Sequence, residues 1–273
     1  MRLRFRHTVA LVTAVVAVAA CSEPPEEIAV QPPGAPASGS DLLGEILERG
    51  VLRVGTTGDF YMSRLDPETG ERSGYDIDLT TRLADDMGVE IEYVGTDWPS
   101  LVSGLNSGRY DITTSATYTA ARALAATYTL PIARTGTVAV IRSSDEDRFD
   151  SWDAIGASGV TIAVRQGSIF QDQAERIGGA ASIETIASPA VVHEAVLAGR
   201  ADVAITGLVD AAALTSAHEA LRIAATEPKY ASYTAMLVPH GEHELRAFVD
   251  AWIRSLEHSG FLDALGERWG LRM

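Results

Sequence analysis

The 273-residue sequence contains one cysteine, Cys21. An internal disulfide is therefore excluded, and with it a disulfide framework or a dithiol redox centre. Lysine is almost absent, since Lys229 is the only one among 22 basic residues, a bias we assign to genome composition rather than to function. Positive charge is in deficit: 37 acidic residues leave a formal net charge of −15. That balance argues against nucleic acid and against anionic membrane surfaces as partners. The acids are scattered, as on a solvated exterior. The six histidines are dispersed, and the pair His240 and His243 lacks a carboxylate or cysteine at ligand spacing, so neither a metal nor another cofactor is expected. The sequence has no P-loop, no G-x-G-x-x-G after a strand and no G-x-S-x-G.

What is present begins with 46% apolar residues, enough for a full core in two domains or one large one. Residues 1–20 place Arg2, Arg4 and Arg6 before the apolar run Val9 to Ala20, the plan of a secretory signal and too short for a spanning helix. Val18, Ala19, Ala20 and Cys21 resemble a bacterial lipobox, which implies cleavage before Cys21 and its lipidation. Loss of this segment removes three arginines and no acids, moving the charge to −18. Residues 21–40 are rich in Pro, Glu, Ala, Gly and Ser, cannot bury enough surface to fold, and read as a tether.

From residue 41 the pattern is strand, helix, strand, helix. A short amphipathic helix over Asp41 to Glu48 stops at Gly50, and a strand follows from Val51 to Thr56. Turn chemistry from Asp66 to Gly70 sets Gly58, Asp59 and Phe60 at the carboxyl end of that strand. A helix is expected over Leu79 to Met87 with Gly88 as its cap, then a strand over Val89 to Val94 and a helix over Ser100 to Asn106. A second block repeats the plan: strands over Thr137 to Ile141, Val160 to Val164, Ile183 to Ile186 and Ala201 to Ile205, and helices over Trp152 to Ile155, Phe170 to Ile177 and Pro189 to Ala198. A strand over Ala235 to Val238 and two helices between Leu245 and Trp269 close the chain. This is the grammar of mostly parallel sheets.

The stretch Gly108 to Arg122, GRYDITTSATYTAAR, has distinct chemistry. A strand runs into Thr113, Thr114, Ser115, Thr117 and Thr119 and ends on Arg122 at the start of a helix. A planar guanidinium, hydroxyls and the unpaired first amides of a helix suit a carboxylate ligand. The alternative is an ordinary turn with Thr119 as N-cap and a solvated arginine.

Several segments, in order RGVLRVGTTGDF, SGYDIDLTTRLADDMGVEIEYVGTDWPSLVSGLNSGRYDI, Thr119-x-x-Arg122, VRQGS, LAGRADVAIT and GFLDALGERWG, resemble the bacterial solute-binding proteins of family 3, the type II periplasmic binding fold. Within the family, TTGD plus an aromatic, DPETG and TDWPSL are most similar to the cyclohexadienyl dehydratases, which convert prephenate or arogenate. The resemblance implies an α/β fold of two lobes: two doubly wound sheets joined by two hinge strands, with the ligand cleft between them. Lobe one would be residues 41–131 plus 235–273, and lobe two residues 132–234. It also implies an extracytoplasmic monomer, lipid-anchored to the membrane, that captures a small carboxylate-bearing solute (amino-acid-like or a keto acid) and passes it to the permease of an ABC-type transporter. Residue by residue, Arg122 would grip the carboxylate with Ser115 and Thr117. Asp59, Phe60 and Trp98 would line the ligand, and Gly167 and Ser168 would offer backbone amides.

Two positions depart from the family pattern. Amino-acid binders place an aspartate where this chain has Gly207, with Asp210 three residues on, so an ammonium group would lack its counter-ion unless Asp210 reaches the cleft. The dehydratases place a glutamate acid where this chain has Gln171, and an amide cannot protonate a leaving hydroxide. Asp172 is adjacent but turned by about 100 degrees on a helix. Binding is therefore the primary expectation and dehydration the alternative.

Overall fold

In the computed structural model, residues 41–58, 62–66, 68–177, 179–187, 191–224 and 226–271 are described. The signal, the tether, Cys21, Asp59 and Phe60 lie outside them.

The first sheet grows from Val51–Thr56, whose alternating Leu52 and Val54 face the core. It pairs in parallel with Glu90–Gly95 on one side and Ile112–Thr113 on the other. The crossover helix starts a full turn earlier than its apolar spacing suggests, spanning Tyr75–Met87. Gly74, at φ +133°, turns the chain into the helix, a conformation that suits only glycine. Tyr75 then donates its hydroxyl to the Ile132 carbonyl at 2.5 Å, and the Asp76 amide donates to the Met62 carbonyl at 2.8 Å. These long-range contacts recruit the extra turn, and local periodicity does not record them. The helix ends as expected at Gly88, φ +69°.

At Gly55 the Tyr110 ring passes so close that an added Cβ would lie 2.5 Å from it. Buried Asp111 anchors the same sheet by accepting from Arg49, from Arg53 and from the Arg53 backbone amide. The C-terminal helices, His243–His258 and Phe261–Trp269, complete this core with Leu245, Val249, Ile253 and Leu262.

The second sheet runs in the order Ser182–Ile186, Thr161–Arg165, Val203–Gly207, Ala133–Arg142, Lys229–Ala235, Ala116–Thr117. Its first three strands are parallel, and Ala133–Arg142 runs antiparallel to its neighbours. Ala133–Arg142 is twice the length expected from Thr137 to Ile141. Ala133 packs in the first core, whereas Val138 to Ile141 pack in the second pair of clusters. The return strand Lys229–Ala235 falls where the resemblance implies a second hinge strand, but local pattern marks only its last residue, Ala235. It carries a register break between Lys229 and Ser232 and a positive φ of 50° at Tyr230, irregularities that hide a period-2 pattern. These two strands connect two cores, and the fold is that of a two-lobe α/β protein.

Candidate functional site

The hydroxyl-rich stretch folds as two short strands, Ile112–Thr113 and Ala116–Thr117, followed by the helix Ala120–Ala125. Thr119 is its N-cap, its Oγ1 accepting from the Arg122 amide at 3.1 Å. The cap directs the arginine back across the strand. Arg122 Nη1 donates to the Thr117 carbonyl at 3.1 Å, and its guanidinium lies 5.1 Å from the Trp98 ring centre. Burial lowers its pKa, partly offset by the neighbouring Tyr128, yet arginine stays charged at any working pH. Thr119 is thus the N-cap, and Arg122 packs against Thr117 and Trp98 rather than being fully solvated.

Arg122 lines a cavity of about 50 Å³, room for a handful of waters, so a ligand of amino-acid size must part its walls. The first lobe contributes Asp76, Trp98, Ser115, Thr117 and Arg122, and the second contributes Thr135, Ser168, Phe170, Gly207 and Asp210. Asp210, in the first turn of the helix Leu208–Ala217, is 6% exposed. A Cβ built on Gly207 would lie 3.5 Å from Asp210 Oδ2. Asp210 therefore does reach the cleft beside the position where the expected aspartate is missing.

Asp76, which the sequence reading did not single out, is 3% exposed in the same wall. Ser115 holds it: Ser115 Oγ donates to Asp76 Oδ2 at 2.9 Å and the Ser115 amide donates at 3.3 Å. The other oxygen, Oδ1, is buried with no hydrogen-bond partner among the described residues. Burial pushes the Asp76 carboxyl up to about 7, against the two Ser115 hydrogen bonds that favour the anion. Its place in the first turn of Tyr75–Met87 also favours the anion, by up to about 2 kcal/mol, too little to cancel complete burial. The signal that could have exposed it is an acid two residues after a glycine that opens a crossover helix at the cleft end of the sheet.

The other expected positions separate. Ser168 lines the cavity, with its hydroxyl donating to the Arg165 carbonyl. Gly167 lies outside, its amide donating to Gln171 Oε1 at 3.0 Å. Gln171 and Asp172 line an adjoining outer groove with Trp98, Pro99, Arg122 and Gly167. Among the described residues no group of three or more metal-ligating side chains occurs.

A cleft bounded by two α/β lobes that are joined by two crossing strands defines a type II periplasmic binding protein. The chain belongs to the bacterial extracellular solute-binding proteins, family 3, whose model matches residues 52–272. It is a ligand-binding protein of that family. A relative 31% identical over 229 residues, 83% of this chain and 85% of the relative, is the cyclohexadienyl dehydratase of Pseudomonas aeruginosa. The L-cystine-binding protein TcyJ of Escherichia coli is 21% identical over 84% of this chain and 85% of its own. Among solved structures, the ancestral amino acid-binding protein AncCDT-1, a precursor of cyclohexadienyl dehydratase, superposes with TM-score 0.78 at 29% identity, covering 83% of this chain and 98% of that one. A mutant of ArgBP from T. maritima gives 0.76 at 25% identity, over 84% and 98%.

Proposed function

We propose that this protein is an extracytoplasmic, lipid-anchored receptor that closes on a small α-amino acid and delivers it to the permease of an ABC-type transporter. One observation carries the reading: a guanidinium from one lobe, Arg122, and a carboxylate from the other, Asp210, line the same cavity. Opposite charges on opposite walls match a zwitterion, the carboxylate taken by the planar fork of Arg122 and the ammonium by Asp210. Because each pole belongs to a different lobe, the ligand bridges them, and its binding favours the closed form. Family membership and amino acid-binding neighbours support an extracytoplasmic receptor, and the lipobox resemblance at Cys21 supports the anchor.

The test is a thermal-shift screen of the mature protein across amino acids, keto acids and prephenate, since ligands that bind the native state raise Tm with occupancy. An amino acid should stabilise the wild type, and Arg122→Ala should lose that stabilisation. Unchanged stabilisation would remove Arg122 from the site.

A second reading is dehydration of a cyclohexadienyl substrate. The dehydratase relative suggests it, and the carboxyl of Asp76 inside the cavity favours it, because burial raises its pKa to about 7 and such a group can protonate a leaving hydroxide. Gln171 cannot do so. Release of phenylpyruvate from prephenate by purified protein, lost in Asp76→Asn, would establish this reading over binding alone.

A further inference from the structure

The charges around the cavity are not exhausted by a zwitterion. Arg122 and Asp210 match one carboxylate and one ammonium, and that leaves Asp76. Among the described residues, Tyr75 and Tyr93 are the titratable groups whose electrostatics register Asp76. Tyr75 and Tyr93 both have hydroxyls whose pKa is raised by burial, so both are neutral. The Arg72 guanidinium lies over the Tyr93 ring, 5.3 Å from its centre, and is not among the groups that shift Asp76. Arg122 and Asp210 belong to the cavity walls, and no ion pair joins Asp76 to any described cation. Ser115 satisfies one carboxylate oxygen from behind, while Oδ1 remains unpartnered in a wall that a ligand must touch.

Resting on the amino-acid reading above, we infer that Asp76 receives a second cationic group of the ligand, so that the site takes a dibasic amino acid and releases a proton on binding it. A buried carboxyl with no counter-ion is held neutral by its surroundings, and an incoming ammonium or guanidinium supplies the missing charge. The proton then leaves Asp76 for solvent, and the ligand cation and carboxylate form a pair whose spare lone pairs Ser115 already satisfies. A ligand with a neutral side chain gives no reason for this ionisation. The two ligand classes therefore differ in proton count as well as in affinity.

The measurement is isothermal titration calorimetry of the mature protein with L-lysine and with L-glutamine, at pH 6 in two buffers of different ionisation enthalpy. With the carboxyl at about 7, lysine should release about 0.9 of a proton at pH 6, and its Kd should tighten about 30-fold between pH 5.5 and 8.5, ten-fold per unit below the pKa. Glutamine should release none and show no such slope. Asp76→Asn should flatten the lysine profile and remove the preference for lysine while glutamine binding persists. Lysine binding with no proton released, or no tighter than glutamine, overturns the inference even if the variant proves unstable, because both measurements use the wild type. Failure of every α-amino acid to bind at any pH would instead overturn the amino-acid reading, and this inference with it.

Discussion

Replacing Asp76 by Asn isolates the energetic consequence of its burial. The carboxyl rises from an ordinary 3.8 to about 7 in the folded chain, so between those values the unfolded chain ionises while the native one holds its proton. The native state then binds more protons, and stability falls as pH rises, by 1.36 kcal/mol per unit. The stability linked to this group is fully present below pH 3.8 and is lost as pH passes 7, a total of about 4 kcal/mol. Asn is isosteric, keeps the acceptor for both Ser115 donors and never ionises. Other groups titrate alike in both proteins, so the difference between them is the diagnostic quantity. In urea unfolding without ligand, the stability of Asp76→Asn relative to wild type should increase by about 2 to 3 kcal/mol between pH 5 and 8.5. A constant difference across that range would show that Asp76 is ionised at neutral pH in the native state and that its burial does not govern its charge.

Three further outcomes are expected. Gly167 adopts φ +69°, and a Cβ there would meet Pro99 Cγ of the opposite lobe at 2.7 Å; Gly167→Ala should therefore weaken ligand binding about ten-fold by opposing closure, roughly 1.4 kcal/mol, and unaltered affinity in a titration would contradict that contact. At Gly207, an aspartate would crowd Phe170 and the Asp210 carboxylate, whose atoms already lie 3.4 and 3.5 Å from the Cβ position; Gly207→Asp should depress amino-acid affinity, and tighter binding would remove Asp210 from the ammonium role. Cys21→Ala should shift the protein from the membrane fraction to the soluble fraction in bacterial cells, whereas a soluble wild type would refute lipidation.

Sequence pattern located the elements that are stable by local logic. The strand Val51–Thr56 and the helix Trp152–Ile155 have their expected bounds, because each combines clear spacing with a strong boundary residue or cap. Segments held by distant partners were harder to read. The first turn of Tyr75–Met87 depends on Ile132 and Met62, and Leu221–Ile223 is too short to display a period and exists by pairing with Ala133–Arg142. The length of that central strand likewise comes from having partners in both lobes.

The same distinction governs the site. Arg122 was legible because an N-cap threonine, a strand of hydroxyls and the arginine are adjacent in sequence, so local geometry alone directs the guanidinium. Asp210 was visible, but its reach was not: whether an acid one helical turn beyond a strand enters a cleft depends on Phe170 and Thr135, which close the space beside Gly207. The strand end carries glycine, Asp210 on the helix that follows lines the same cavity, and the small residue at 207 leaves room for its carboxylate. Asp76 was hidden for the opposite reason. In sequence it is one of two acids opening an amphipathic helix, where acids are common and solvated. Its partner Asp78 is of that kind, accepting from Trp269 Nε1 and Arg268 at the protein's exterior. Two residues apart on a helix, the pair face different directions, and only tertiary structure assigns one to the surface and the other to the cavity. Of Arg122, Asp210 and Asp76, which line one cavity, the last is thus the one for which local sequence carries the least information.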